Sequence, residues 1–392
     1  MKLVFDNFIS ALKVTLNWSR YIGIFIPDEL TGRRQKLLVQ AYSVFMYYLF
    51  IGFFITTQII SFILVWGDLN LMTDVGLVLG TNLALSAKIA VFFFKREDLA
   101  NILKKNDDTL RSETRAEGKK IISEIDRETN AFMKVFFCFG VGTVIAWFLS
   151  TPKGELHMIT WYPFDFKRSP AYEIIMIHQT IAVAVIASLL ITVDIIMLSM
   201  IAVCRCRVKL VGLSLQTICD DLPCNVKNKL TSDEEVIVAK RIREYIIEHQ
   251  AILDCISELQ NHFSPALLVQ LLTSVVIICV TAYQLAVEKS SDLLRKFTMA
   301  SFLFAMSTEM FTFGYQGGHL SHDSMEVATA AYSCPWYTFP TSLKRSLLVI
   351  MIRAQQPALL TAGGFTTLSL ETFVTIMKAS YSFFTVLQEA TD

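Results

Sequence analysis

The chain has 392 residues, 53 % of them hydrophobic and 18 % charged, with a mean hydropathy of +0.49. That balance excludes a soluble enzyme with an ordinary core and indicates an all-α integral membrane protein. Lys+Arg and Asp+Glu number 35 each, so net charge itself says nothing about nucleic acid; for a membrane protein of this kind no nucleic-acid partner is expected.

The segment from Met1 to Asp28 lacks the pattern of a cleavable signal, because Lys13, Asn17 and Arg20 interrupt its apolar residues. Seven stretches then reach the length that crosses about 30 Å of hydrocarbon as a helix. They are Leu37–Trp66, Met72–Phe94, Ala131–Ser150, Glu173–Val203, Phe263–Val287, Phe297–Gln316 and Gly364–Gln388. Lys and Arg set the orientation. The N-terminus holds six, and the connections after spans two, four and six hold nine, eight and three; the other side holds six in all. This predicts a cytoplasmic N-terminus (1–36) and an extracellular C-terminus, inverted relative to a G-protein-coupled receptor. Cys204, Cys206, Cys219, Cys224, Cys255 and Cys334 all fall in connections read as cytoplasmic, which suits a reducing compartment.

Spans one to six (37–316) are expected to enclose an outer-half ligand pocket. Residues 95–130 and 204–262 read as cytoplasmic helical extensions. From Asp233 to Phe263 the apolar positions Ile242, Ile246, Leu253, Ile256 and Phe263 form a stripe that continues into span five, with Pro265 as a kink point. Asp107–Thr129 is a second charged helix. Residues 317–362 form an anchor segment, containing a short helix at Leu343–Ala354 with Lys344, Arg345 and Arg353 on its polar face. The intracellular layer suits subunit contacts; solvated helices without partners are the alternative. Gly317–Gly318 reads as the end of span six and Gly363–Gly364 as the lead into span seven (363–392). The loop Thr151–Tyr172, rich in aromatic residues and Pro, caps an outward pocket or forms an interfacial belt.

Span seven has a polar seam. As a helix, Glu371, Thr375, Lys378, Ser382, Thr385 and Glu389 recur at steps of 4, 3, 4, 3 and 4. At about 100° per residue they share one sector, which also holds Val386. Phe373, Met377, Ser380, Phe384 and Leu387 lie opposite. Lipid does not tolerate such a seam, so it faces protein or water. Several copies around an axis would line a pore; bonding to neighbouring helices of the same chain is the other reading.

Three C-terminal patterns resemble the insect odorant receptor family. They are Ala331-Tyr-Ser-Cys-Pro-Trp-Tyr-Thr-Phe-Pro340; Arg353-Ala-Gln-Gln-Pro357 with Leu360-Thr-Ala-Gly-Gly364; and Leu368-Ser-Leu-Glu-Thr-Phe373 with Lys378-Ala-Ser-Tyr-Ser-Phe-Phe-Thr-Val-Leu387. The resemblance implies a heterotetrameric odorant-gated cation channel of tuning subunits and a common co-receptor, in the dendrite membrane of olfactory sensory neurons. The connection between spans four and five is only about sixty residues, without the co-receptor's long insertion, so the chain resembles the tuning subunit. By the same resemblance Val386 and Ala390 occupy an apolar constriction, with Ser382, Thr385 and Glu389 around it favouring hydrated cations. A metabotropic receptor acting through a G protein is the competing class, weakened by the absence of Asn-Pro-x-x-Tyr from span seven.

For the odorant pocket, Gly140, Thr143 and Trp147 share one face of span three, in a small-small-Trp arrangement similar to the family's. Leu85, Met176, Thr180, Phe302 and Met306 complete it from the outer halves of spans two, four and six; ordinary helix packing is the alternative for these five. Lys88, Asp194 and Glu309 are charges inside spans. Lys88 snorkels inward or pairs with Asp194; separate water contacts at the inner end are the alternative. His319-x-x-His322-Asp323 lacks a further metal partner and reads as structural or solvated. With no Walker loop, dinucleotide fingerprint or G-x-S-x-G, neither cofactor, resident metal nor enzymatic chemistry is expected.

Overall fold

The computed structural model describes residues 10–23, 33–151, 156–164, 169–222, 230–287 and 293–389. Their helices are α1 (Ser10–Ile22), α2 (Arg33–Tyr47), α3 (Phe53–Leu64), α4 (Leu69–Phe94), α5 (Arg96–Arg111), α6 (Ala116–Ser150), α7 (Ala171–Gln216), α8 (Ser232–Val287), α9 (Leu293–Ser333), α10 (Thr341–Ala354) and α11 (Leu370–Glu389). A wider π-helical turn, Tyr48–Gly52, joins α2 to α3 as one rod. The only strands among the described residues, β1 (Thr361–Ala362) and β2 (Thr366–Thr367), pair antiparallel, Thr361 opposite Thr367. Among the described residues, five helical rods are long and apolar enough to cross a membrane: Leu37–Leu64, Leu71–Phe94, Ala116–Ser150, Ala171–Gln216 and Ser232–Ala286. Ser, Thr and charged residues make α9 and α11 less apolar.

Helix α7 is the hub. Its residues from Thr192 to Val208 are buried without interruption, as expected of a helix apolar on every face. Helices α1, α6, α8 and α9 pack around it. With 56 residues, α8 is about 84 Å long at 1.5 Å per residue, far beyond the hydrocarbon thickness. Its excess packs with the excess of α6, α7 and α9 into a helical layer at one end of the bundle. There Ile242, Ile256 and Phe263 are buried, and Ile246 and Leu253 pack against them. The N-terminal helix α1 joins through buried Leu12 and Leu16.

Two buried arginines of α7 knit this layer. Arg205 reaches Glu128 of α6 at 2.7 Å, Gln316 of α9 at 2.7 Å and Asp323 of α9 at 3.1 Å. Arg207 holds Glu248 of α8 at 2.6 Å and Asn106 of α5 at 2.5 Å.

The structure corrects two helix boundaries. The helix of span six does not stop at Gly317–Gly318, because α9 continues as one helix to Ser333. Gly317 and the nearby Gly314 serve close packing. A Cβ on Gly317 would lie 2.5 Å from the Leu368 carbonyl oxygen, and one on Gly314 2.7 Å from that of Ser369. The helix of span seven starts at Leu370, where the seam reading began it, and Gly363 and Gly364 ahead of it take φ of 63° and 77° in the β1–β2 turn. The inner extension after span two is two helices, broken at residues 112–115, where the Arg115 backbone N–H and guanidinium both bond Glu113. That guanidinium holds the Glu113 carboxyl below its usual range.

Candidate ligand cavity and pore helix

Helices α4, α6, α7 and α9, with Phe54 of α3, enclose a cavity of about 130 Å³. Helix α6 supplies Gly140, Thr143 and Trp147, and α9 supplies Phe302 and Met306. Among the eight residues expected there, these five are brought together. Three are not. Leu85 is fully buried in the main core, and Met176 and Thr180, bonded to each other's turn at 2.8 Å, lie nearer the end of α7. The α7 wall is instead Val183, Ile186, Ala187, Leu190, Ile191 and Asp194, whose alternating steps of 3 and 1 keep them on one face. A helix apolar all round gives no pattern from which that face is readable.

A strap of residues 156–164 roofs the cavity with Met158. Buried Gln179 pins it, donating to Thr160 Oγ1 at 2.8 Å and to the Met158 carbonyl at 3.3 Å. Trp147 Nε1 donates to the His157 carbonyl at 3.1 Å. The His157 ring meets Phe148 edge-on and lies 2.8 Å from Thr151 Oγ1. Burial pushes its pKa below the ordinary histidine value, favouring the neutral ring. The strap belongs to the loop whose sequence left a cap and an interfacial belt open, and its Met158 lies on the cavity. Outside it is a second, more polar chamber of about 310 Å³, edged by His157, Asp74, Gln284 and Arg295. Val78, Trp147, Met158 and Phe302 line both chambers and form the partition between them.

The three intramembrane charges meet at the cavity's deep end. Lys88 Nζ lies 2.5 Å from Asp194 Oδ1 and 2.6 Å from Glu309 Oε1. Lys88 is fully buried, so it does not snorkel, and its ammonium joins α4 to α7 and α9. Sequence reasoning paired Lys88 with Asp194 alone. Glu309 was the missing partner, and the need to neutralise a buried charge was the available signal.

Helix α11 lies against α8 and α9. Its inward side carries buried Ile376 and Ser380, with Ser380 Oγ donating to the Val275 carbonyl at 3.4 Å and Phe373 edge-on to Phe311. Glu371, Thr375, Lys378, Ser382 and Val386 are exposed on the other side of this single chain, and Thr385 is half-buried. Glu389 ends the helix, and Ala390 lies outside the described residues. Met306, Ile277 and Ile278 form a small buried cluster, against which Phe302 and Met377 of α11 pack.

His322, Asp323 and Glu326 place ligand atoms within 4.8 Å of one another. Asp323 is already held by Arg205 and by Lys209 at 3.5 Å, and the His319 ring lies on Tyr315 with centroids 4.2 Å apart.

Known proteins share this fold. Residues 68–381 match the family model described as 7tm odorant receptor. Odorant receptor Or1 of Anopheles gambiae is 23 % identical over 393 residues, spanning 94 % of this chain and 93 % of that one. Odorant receptor 10 of Aedes albopictus is 29 % identical over 225 residues, 57 % of each chain, so the match spans little more than half of that relative. The odorant receptor coreceptor of Anopheles gambiae is 28 % identical over 160 residues, 41 % of this chain and 33 % of its own. The solved olfactory receptor OR5 of Machilis hrabei, in complex with eugenol, superposes with a TM-score of 0.82 at 16 % identity, covering 99 % of this chain and all of that one. The match across the spans and the inner layer places this multi-pass membrane protein: the chain belongs to the odorant receptor family.

Proposed function

We propose that this chain is the odorant-tuning subunit of a ligand-gated, non-selective cation channel, assembled as a heterotetramer with the odorant co-receptor in the plasma membrane of olfactory sensory neurons. The observation that carries the proposal is the shared packing of Met306 and Phe302, which line the cavity and also join the cluster that Met377 of α11 packs against. An occupant of the cavity touches the side chains that seat the seventh span. The cavity suits a small apolar ligand, since an apolar cavity of about 150 Å³ stays dry and takes benzene. In this reading the N-terminus is cytoplasmic, the roofed end of the bundle faces outward, and α9 and α11 are the sixth and seventh spans.

The mechanism is a population shift. An odorant that binds better when Met306 and Phe302 move outward favours the arrangement in which α11 has shifted with them. Flexible Met306 absorbs differences in ligand shape. The exposed seam of α11 lines the pore with its counterparts from the other subunits. The apolar ring at Val386 and Ala390 closes it by dewetting and opens when the helices part. Short connection lengths in the inner layer support the tuning role, because α7 and α8 are separated by 15 residues.

A cysteine-accessibility experiment tests this. Ser382→Cys, co-expressed with the co-receptor, is expected to lose odorant-evoked current when a charged thiol reagent is applied from outside during odorant exposure. Current that survives the reagent, with labelling of the cysteine shown separately, removes α11 from the pore.

A further inference from the structure

The polar groups around the cavity are not neutral in character. Every hydroxyl and indole donor on its wall is already engaged, and the Asn82 amide gives one of its two N–H groups. Thr81 Oγ1 donates to the Leu77 carbonyl and Thr143 Oγ1 to the Phe139 carbonyl, each at 2.8 Å. Trp147 Nε1 donates to His157 O, and Asn82 Nδ2 to Gln58 Oε1 at 2.9 Å. What remains, apart from the second N–H of the Asn82 amide, is acceptor capacity. Asn82 Oδ1 is buried with no hydrogen-bond partner. Asp194 and Glu309, 4 % and 3 % exposed, each give one oxygen to Lys88 and lie within hydrogen-bond reach of each other. Lys88 itself does not line the cavity. Four carboxyl oxygens, each with two lone pairs, face one ammonium, so the floor has more acceptor sites than protons even when the two carboxyls share one. Buried acceptors without donors cost free energy, and a ligand that brings a donor recovers it.

We propose that Asp194, Glu309 and Asn82 form a polar subsite at the cavity's deep end that selects odorants carrying an O–H or N–H donor, with the apolar body of the odorant held between Gly140, Ile186, Phe302 and Met306. The proposal rests on the reading of the cavity as the odorant site. It assigns the triad a recognition role beyond cross-linking α4, α7 and α9: Lys88 holds the two carboxyls in place and keeps its own donors from the ligand. The subsite discriminates most sharply against molecules of equal size that offer only acceptors, because they leave its oxygens unpaired and add a repulsive lone pair.

Isomer pairs test this in the unmodified receptor. Concentration–response currents are recorded from cells expressing the chain with the co-receptor, using benzyl alcohol against anisole and hexanol against methyl pentyl ether. Each pair shares composition and differs in whether its oxygen carries a proton. The alcohol of each pair is expected to half-activate at a concentration lower by about tenfold or more. Equal potency within both pairs, or ethers stronger than alcohols, overturns the subsite and leaves the odorant-receptor reading intact. Silence to these and to a broad odorant panel, with the complex at the surface, overturns that reading and the subsite with it. Glu309→Gln puts an amide N–H where only acceptors stood and is expected to narrow the alcohol preference at least threefold; an unchanged preference in a surface-expressed Glu309→Gln receptor overturns Glu309's part. The wild-type pairs decide the proposal if the variant fails to fold.

Discussion

Gly140→Ala offers a graded test of the cavity. A Cβ at this position would lie 2.6 Å from Cδ1 and 3.5 Å from Cγ1 of Ile191. Ordinary carbon contacts need about 3.5–4.0 Å, so the Ile191 methyl must retreat by about 1 Å. Gly140 and Ile191 both line the cavity, and the added volume goes there. About one methyl group of ligand space is lost from about 130 Å³. An odorant that fills the cavity then leaves about one methylene unburied, at about 0.8 kcal/mol, which raises its half-activating concentration about fourfold. Shorter homologues that leave space unfilled are unaffected. The assay is a series of straight-chain alcohols on cells expressing the variant with the co-receptor, normalised to surface protein. Tighter packing between α6 and α7 costs about 1–3 kcal/mol of stability and lowers the number of receptors, not their affinity. A shift of equal size for every chain length, or no shift for the longest active alcohol, refutes the assignment of this cavity as the odorant site.

Three further outcomes follow from the packing. Arg205→Met removes the guanidinium from Glu128, Gln316 and Asp323 and leaves buried Asp323 with only Lys209 at 3.5 Å; a loss of about 3–5 kcal/mol is expected, read as a lower melting temperature of the purified complex and partly recovered by adding Asp323→Asn. An unchanged melting temperature would show that the inner layer does not depend on this clamp. Gly317→Val drives a Cβ against the Leu368 carbonyl oxygen, a backbone atom that cannot step aside, so α11 loses its seat and odorant current disappears from receptors that reach the surface; wild-type current would refute the close approach. Lowering external pH protonates His157 against its burial. Because its folded pKa lies below the ordinary value of about 6.5, the strap is most stable above pH 6.5 and weakens as pH falls below that value. Odorant affinity measured at pH 5.5 should therefore drop relative to pH 7.5, and His157→Gln should flatten the difference; a drop that survives in the variant assigns it elsewhere.

Much of the architecture was legible because membrane helices announce themselves by length and composition. The rod from Ser232 to Val287, with Pro265 inside it, and the short helix near Leu343–Ala354 both followed from apolar spacing. Glycine was read less well. Gly317–Gly318 looked like a stop, but in a crowded helix interface the same residue type supplies close approach, and only the partner backbone at Leu368 distinguishes the two uses. The cavity was half legible for a similar reason. Gly140, Thr143 and Trp147 stand out on an otherwise bulky helix, whereas the α7 wall of Val183, Ile186, Ala187 and Leu190 is hidden in a run with no polar face. The triad required two distant partners for Lys88, 106 and 221 residues away in sequence, and no local pattern records that meeting.

The central claim is that ligand binding and ion conduction belong to one complex. Excised membrane patches carrying this chain with the co-receptor, bathed in solution free of ATP and GTP, test it most directly. The account predicts that odorant applied to the outer face opens cation current at once and repeatedly under these conditions. Current that vanishes on excision and returns only when GTP is supplied would contradict it, and would identify a receptor that signals through a separate protein.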